Sequence, residues 1–167
     1  MATPTNLPAS FSTGAVLTAA QMNDLRGAFR ILQVVQAGNT TLTVNDTSTY
    51  ATTGISATIT PSATSNKVLV WVNLGGCGKS NGNSASHFYV RVVRGTTDIG
   101  LIEGASGYQN LAQTLYVGTI SGLLLDSPST TTATTYTVEF KNNVNAPRVE
   151  RSANSTYSSI VLAEVSA

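Results

Sequence analysis

Charge is scarce in this 167-residue chain: Asp, Glu, Lys and Arg make up 10% of it, against about 25% in an ordinary soluble domain. Nine basic residues face eight acidic ones, for a formal net charge of +1. The basic residues are scattered, the densest pairs being Arg91/Arg94 and Arg148/Arg151. Binding to phosphates needs clustered Lys and Arg, so the charge argues against a nucleic-acid protein. The acidic residues are scattered as well, which signals neither the carboxylate pair of a glycosidase nor a calcium loop.

Cysteine is nearly absent. One residue, Cys77, permits no intrachain disulfide and no all-cysteine metal site. No apolar run approaches the roughly 18 residues of a membrane span. The opening Met1-Ala-Thr-Pro-Thr-Asn-Leu-Pro8 has neither the basic nor the apolar region of a signal peptide. Synthesis in the cytoplasm is therefore expected, and the glycosylation sequons at Asn39, Asn45 and Asn154 are incidental to a chain rich in Thr and Asn. No internal repeat stands out, so a propeller or solenoid is not expected.

What replaces the charge is Thr, Ser, Asn and Gly beside 41% hydrophobic residues. This mixture suits an all-β protein with many turns, and 167 residues suit one domain with a sizeable core. The clearest signal lies at 55–73. Ile55, Ala57 and Ile59 alternate with Ser56, Thr58 and Thr60, the period of a half-buried strand. Pro61 ends it, residues 61–66 form a turn, and Val68-Leu-Val-Trp-Val72 follows, apolar on both faces. Such a strand belongs in the middle of a packed sheet, with Trp71 expected in the sandwich interior or at a subunit interface.

Further strands are read at 31–37, 88–93, 98–103 and 158–165, with weaker extended pieces at 41–44 and 50–53. Residues 111–125 form a long extended region punctuated by Gly118 and Gly122, and Tyr136, Val138 and Phe140 alternate with Thr137, Glu139 and Lys141. Loops are expected at 75–86, 104–110 and 142–157. About eight antiparallel strands with turn signals at these intervals predict a jelly-roll β-sandwich.

Ahead of the strands, residues 1–16 contain Pro4 and Pro8 and no periodicity, an extended arm without a core of its own. One short helix follows. Thr18 as N-cap with Gln21 three residues on completes a capping box, and Leu17 with Met22 has the spacing of a hydrophobic staple. Met22, Leu25 and Phe29 form one apolar stripe, which Leu32 extends if the helix runs that far. The stripe packs either on its own domain or, with copies of itself, around an axis or onto a larger particle.

Motifs for chemistry are weak. Gly75-Gly-Cys-Gly-Lys-Ser80 follows a strand as a phosphate-binding loop does, but Asn73 stands where that motif needs its first glycine. The residues after Ser80, Asn81-Gly-Asn-Ser-Ala-Ser86, are also not expected to form the helix that would hold a phosphate. Cys77 and the lone His87 have no third group to orient them as nucleophile and base. Neither catalysis, a cofactor nor a metal site is expected. Tyr108, with Gln109 and Asn110, and Tyr157 lie in loops, where aromatics beside amides either stack on sugar rings or plug the loop against the core.

The segment Phe11-Ser-Thr-Gly-Ala-Val-Leu-Thr-Ala-Ala-Gln-Met-Asn-Asp-Leu-Arg26 resembles the attachment segments of tailed-bacteriophage virion structural proteins. So do Ile31-Leu-Gln-Val-Val-Gln36, the 55–73 stretch and Ser159-Ile-Val-Leu-Ala-Glu-Val165. The resemblance implies a homotrimer with a jelly-roll head at 31–167, similar to fibre knobs and C1q/TNF-like trimers. Residues 1–30 would dock to the major capsid or tail proteins of the virion. The resemblance transfers no individual residues, and the apolar Leu7, Phe11, Leu17, Met22, Leu25 and Phe29 of that segment are the expected attachment or oligomer contacts. Two functions follow. One is a structural protein, a capsid decoration (cement) trimer or short fibre. The alternative is a tail-fibre tip adhesin whose loops 75–86, 104–110 and 142–157 bind host surface glycans.

Overall fold

Alternation between a dry and a wet face organises this chain into two sheets. The computed structural model describes residues 14, 16, 18, 31–79, 86–108, 113–143, 149–151 and 153–166. Among these, ten strands form: β1 (Ile31–Asn39), β2 (Thr43–Asn45), β3 (Ala51–Ile59), β4 (Lys67–Lys79), β5 (Phe88–Arg94), β6 (Thr97–Ser106), β7 (Leu115–Asp126), β8 (Thr134–Asn142), β9 (Val149–Arg151) and β10 (Ser158–Val165). A single turn of 3-10 helix, Ala153–Ser155, separates the last two.

The long strands make two antiparallel four-stranded sheets, β1-β10-β4-β7 and β3-β8-β5-β6, while the short β2 and β9 extend the first at the far end of β4. The chain alternates between sheets: β3 lies in one, β4 in the other, β5 and β6 return, β7 crosses, β8 returns and β10 crosses again. That order, eight strands in two facing sheets with Greek-key connections, is the jelly roll expected from the sequence. Its core interleaves Ile55 and Ile59 of β3, Val70 and Val72 of β4, and Val138 and Phe140 of β8, all essentially inaccessible to water. Each such side chain contributes about 1.5–3 kcal/mol relative to exposure.

Several boundaries differ from the sequence reading. The pieces at 50–53 and 55–60 are one strand, β3, interrupted by a register shift between Thr52 and Ile55. Gly54 takes φ 75° there, open to glycine without strain. The 55–73 stretch is no hairpin, since β3 and β4 belong to opposite sheets, and β3 is an edge strand while β4 is central. The predicted loop at 75–86 begins five residues late, because β4 continues to Lys79 through two register shifts. Glycine serves close approach in that segment: a Cβ on Gly75 would stand 2.5 Å from Thr156 Cγ2 and 2.6 Å from the Tyr157 carbonyl. Likewise β6 runs to Ser106 inside the predicted 104–110 loop, and 142–157 contains β9 and the 3-10 turn. Leu32 is in β1, so the stripe of Met22, Leu25 and Phe29 is not continued by a helix through Leu32.

Two buried polar groups tie the layers together. Glu164 of β10 is fully buried and accepts hydrogen bonds from Gln33 Nε2 (2.6 Å), Asn66 Nδ2 (2.6 Å) and both the amide and the hydroxyl of Ser62 (2.7 Å each). Asn45, 6% exposed, donates to the carbonyls of Thr49 and Phe140 and accepts from the Thr47 amide and hydroxyl. Its sequon is therefore occupied by the fold, with the side-chain amide already bonded on both sides.

Candidate functional site

The two ends of the sandwich carry different things. Pairing in register places Ile31 beside Val165, Val165 beside Lys67, and Val68 beside Asp126, so the chain enters the fold at this base. The connections from β4 to β5, β6 to β7 and β8 to β10 all run at the opposite end, where Lys79 pairs with Leu115 and Phe88 with both Ser106 and Asn142. The three loops singled out in the sequence thus share one end, opposite the end at which Ile31 begins β1.

On the outer face of the β3-β8-β5-β6 sheet, cations and aromatics alternate. Arg91 donates through Nε to Glu139 Oε2 (2.9 Å) and pairs through Nη1 with Asp98 Oδ2 (3.0 Å), while its guanidinium lies 3.9 Å from the centre of the Tyr50 ring. Burial works to lower the Arg91 pKa, but the bonds to Glu139 and Asp98 outweigh it and leave it raised. Lys141 Nζ stands 4.8 Å over Tyr50 and 4.9 Å over Tyr89. The row continues to the loop end, where the His87 ring lies 5.2 Å from Tyr89 and 5.8 Å, edge-on, from Tyr108. Tyr108 remains 58% exposed. An exposed aromatic set edge-on against the His87 ring offers a stacking surface with an apolar face and a polar edge.

Tyr157 does not join it. Its hydroxyl accepts from Gln36 Nε2 at 3.5 Å and sits over Gly38, where an added Cβ would be 2.5 Å from that oxygen, so it belongs to the β1 side of the other sheet. Tyr108 thus meets His87 while Tyr157 meets Gln36 and Gly38. Gln109 and Asn110 lie outside the described residues, as do Leu7, Phe11, Leu17, Met22, Leu25 and Phe29. His87, whose ring meets Tyr108, and Tyr89, which stands behind His87, were not read as binding residues from sequence. The usable signal was the outward register of Tyr89, two residues after His87 on a strand whose inward positions are Phe88, Val90 and Val92.

The nucleophile-like and phosphate-loop-like features are structural. Cys77 is buried in the core with Sγ donating to the Leu74 carbonyl at 3.3 Å. Gly78 and Lys79 pair with Tyr116 and Leu115 of β7 and with Glu150 and Val149 of β9, so the segment is a sheet strand. Lys79 itself is fully buried, and burial lowers its pKa. Among the described residues its Nζ has no hydrogen-bond partner.

The outer face of β1-β10-β4-β7 is of another kind. Trp71, expected in the interior or at a subunit interface, is not in the interior: Val70 and Val72 point into the core and Trp71 points out, 57% exposed. Its indole Nε1 donates to Ser121 Oγ at 3.4 Å, and that hydroxyl donates to the Val72 carbonyl at 3.0 Å. Trp71, Asn73, Ser121, Ser159 and Val161 line a shallow hollow of about 220 Å³.

No protein-family model matches this chain, and no curated protein is similar to it. Among solved structures, the crystal structure of the infectious bursal disease virus VP2 subviral particle aligns with TM-score 0.49 and 9% identity, over 79% of this chain and 32% of that one. The structure of the infectious bursal disease virus Gt strain aligns with TM-score 0.40 and 11% identity, over 95% of this chain and 37% of that one. The chain thus spans about a third of the length of each. At such scores the jelly-roll assignment stands on the strand order itself.

Proposed function

We propose that this chain is a non-enzymatic structural protein of a tailed-bacteriophage virion, a homotrimer on the particle surface anchored by its N-terminal segment. The observation that carries this reading is the polarity of the sandwich. Residue 31 enters β1 at the base, beside Val165 and Lys67, and the three long connections lie at the other end. A head held to a particle through residues 1–30 turns those loops outward. The resemblance of residues 11–26 to phage attachment segments names the kind of particle, with its major capsid or tail proteins as partners. Made in the host cytoplasm, the chain would function as a capsid decoration (cement) protein or short fibre. Its work is then binding energy from apolar contact, about 25 cal/mol per Å² before the cost of association.

Deleting residues 1–16 tests the anchor. The truncated chain is expected to fold and trimerise yet fail to join virions, and normal incorporation would overturn the reading.

A second reading, a fibre-tip adhesin for host surface glycans, draws support from Tyr108, exposed at the loop end and set against His87.

A further inference from the structure

We infer that the outer face of the β1-β10-β4-β7 sheet is the surface through which copies of this chain associate, with Trp71 and Leu123 at its centre. The two outer faces of the sandwich differ in kind. One carries Arg91, Asp98, Glu139 and Lys141, a solvated set of ion pairs and cation–ring contacts. The other is apolar. Register places Val34, Leu69 and Leu125 in one row across the sheet, with Ala163 between the first two, and Val161, Trp71 and Leu123 in the next. Val34, Leu123 and Leu125 are each more than half exposed, as Trp71 is. Among the described outward positions of these four strands the charged side chain is Lys67, at the base edge, where it donates to Ser127. Solvated single hydrophobics are ordinary on a surface, but a contiguous set across four strands marks an interaction face.

The occupant is a second copy of this chain. Four strands about 4.8 Å apart and some ten residues long present roughly 19 by 34 Å, about 650 Å², close to the roughly 800 Å² per partner of a standard interface. A face this wide, with Lys67 at its edge as the charged group among the described residues, offers little to fix a charged ligand. It fits a second apolar face of equal size. Its make-up is that of an interface core, depleted in charge and centred on an aromatic residue of the type that dominates association energy. A net charge of +1 raises little long-range repulsion between copies.

The inference deepens the homotrimer reading above and rests on it for the number three only. The test uses the full chain, its single tryptophan, and three measurements: native mass spectrometry, sedimentation over a dilution series, and Trp71 emission. Leu123→Lys places a charge at the centre of the face without touching the core, and Ser56→Lys does the same on the exposed outer side of β3. The wild-type chain and Ser56→Lys should be oligomeric with blue-shifted Trp71 emission. Leu123→Lys should retain the β circular-dichroism spectrum, associate about 30-fold more weakly or worse, and show red-shifted emission. An oligomer that Leu123→Lys leaves intact overturns the inference, as does a monomer with solvent-like emission. A monomer whose Trp71 is shielded at every dilution also overturns it, because residues of the same chain then cover the face. A dimer broken by Leu123→Lys upholds the surface while refuting the homotrimer.

Discussion

Asn66 Nδ2 donates to Glu164 Oε1 at 2.6 Å, joining the turn that carries the chain from one sheet to the other to the strand at the centre of β1-β10-β4. Ser62 and Gln33 complete the shell around this carboxylate. Burial by itself pushes the Glu164 carboxyl up, but the hydrogen bonds from Gln33, Asn66 and Ser62 outweigh it and bring the pKa down to about 2. A folded-state pKa below the unfolded value gives stability that is present above about pH 4.5 and lost as pH falls toward 2, up to about 3 kcal/mol. Urea unfolding at pH 7, 4 and 2.5 should show that loss in the wild type. Glu164→Gln should be less stable at pH 7 and much flatter with pH, and an unchanged pH slope would contradict the assignment.

Lys79 has the opposite balance. Burial lowers its pKa and no described group offsets the cost, so the protonated amine weakens the fold at neutral pH. A base whose folded pKa is depressed makes stability rise with pH between its folded and unfolded values. Lys79→Met keeps the unbranched chain out to the ε position and removes the charged amine. It should raise stability at pH 7 by about 1–3 kcal/mol and abolish the part of the alkaline rise that the wild type owes to Lys79. A destabilised Lys79→Met would mean that the amine has a partner in solution.

The link between the sheets at the base can be probed at Tyr136, whose buried hydroxyl donates to Asp126 Oδ2 at 2.7 Å, with Arg94 Nε 3.4 Å from the same oxygen. Burial first, and this bond second, hold the phenol well above its ordinary pKa. Tyr136→Phe should cost about 1.5–3 kcal/mol, the range for a hydrogen bond to a charged group. Chemical denaturation measures it, and a change below experimental error would show that water replaces the bond.

Strands were legible where one face is dry and the other wet. Ile55, Ala57 and Ile59 are buried while Ser56 and Thr58 are exposed, as their alternation predicts, and Tyr136, Val138 and Phe140 follow the same rule. Val68 to Val72 obeys it too, yet an apolar residue at every position hides which side is which, so the outward turn of Trp71 was ambiguous. Gly75 to Lys79 reads as a loop because glycine usually marks turns, whereas here it admits the chain at Thr156 and Tyr157. The Glu164 shell was invisible for a different reason. Gln33 stands 131 positions away along the chain, and nothing local announces that a lone carboxylate in an apolar strand will be met by four donors. The tyrosine site was half legible, since loop position identifies Tyr108 but only the fold separates it from Tyr157 and sets it against His87.

For the adhesin reading, Tyr108 is the residue to change. Because its ring is exposed, Tyr108→Ala should alter stability by no more than about 0.5 kcal/mol. Purified wild-type protein should compete with phage adsorption, and Tyr108→Ala should compete less well. Absence of competition at saturating wild-type protein removes glycan binding from the account and leaves the structural role standing.

The central claim is that this chain is a built-in component of a virion, and its copy number in purified particles tests that most directly. Quantitative mass spectrometry should find it at a multiple of three per particle, with hundreds indicating head decoration and a few to tens indicating a short fibre or tail position. Its absence from purified, infectious particles of the phage that encodes it would contradict the claim.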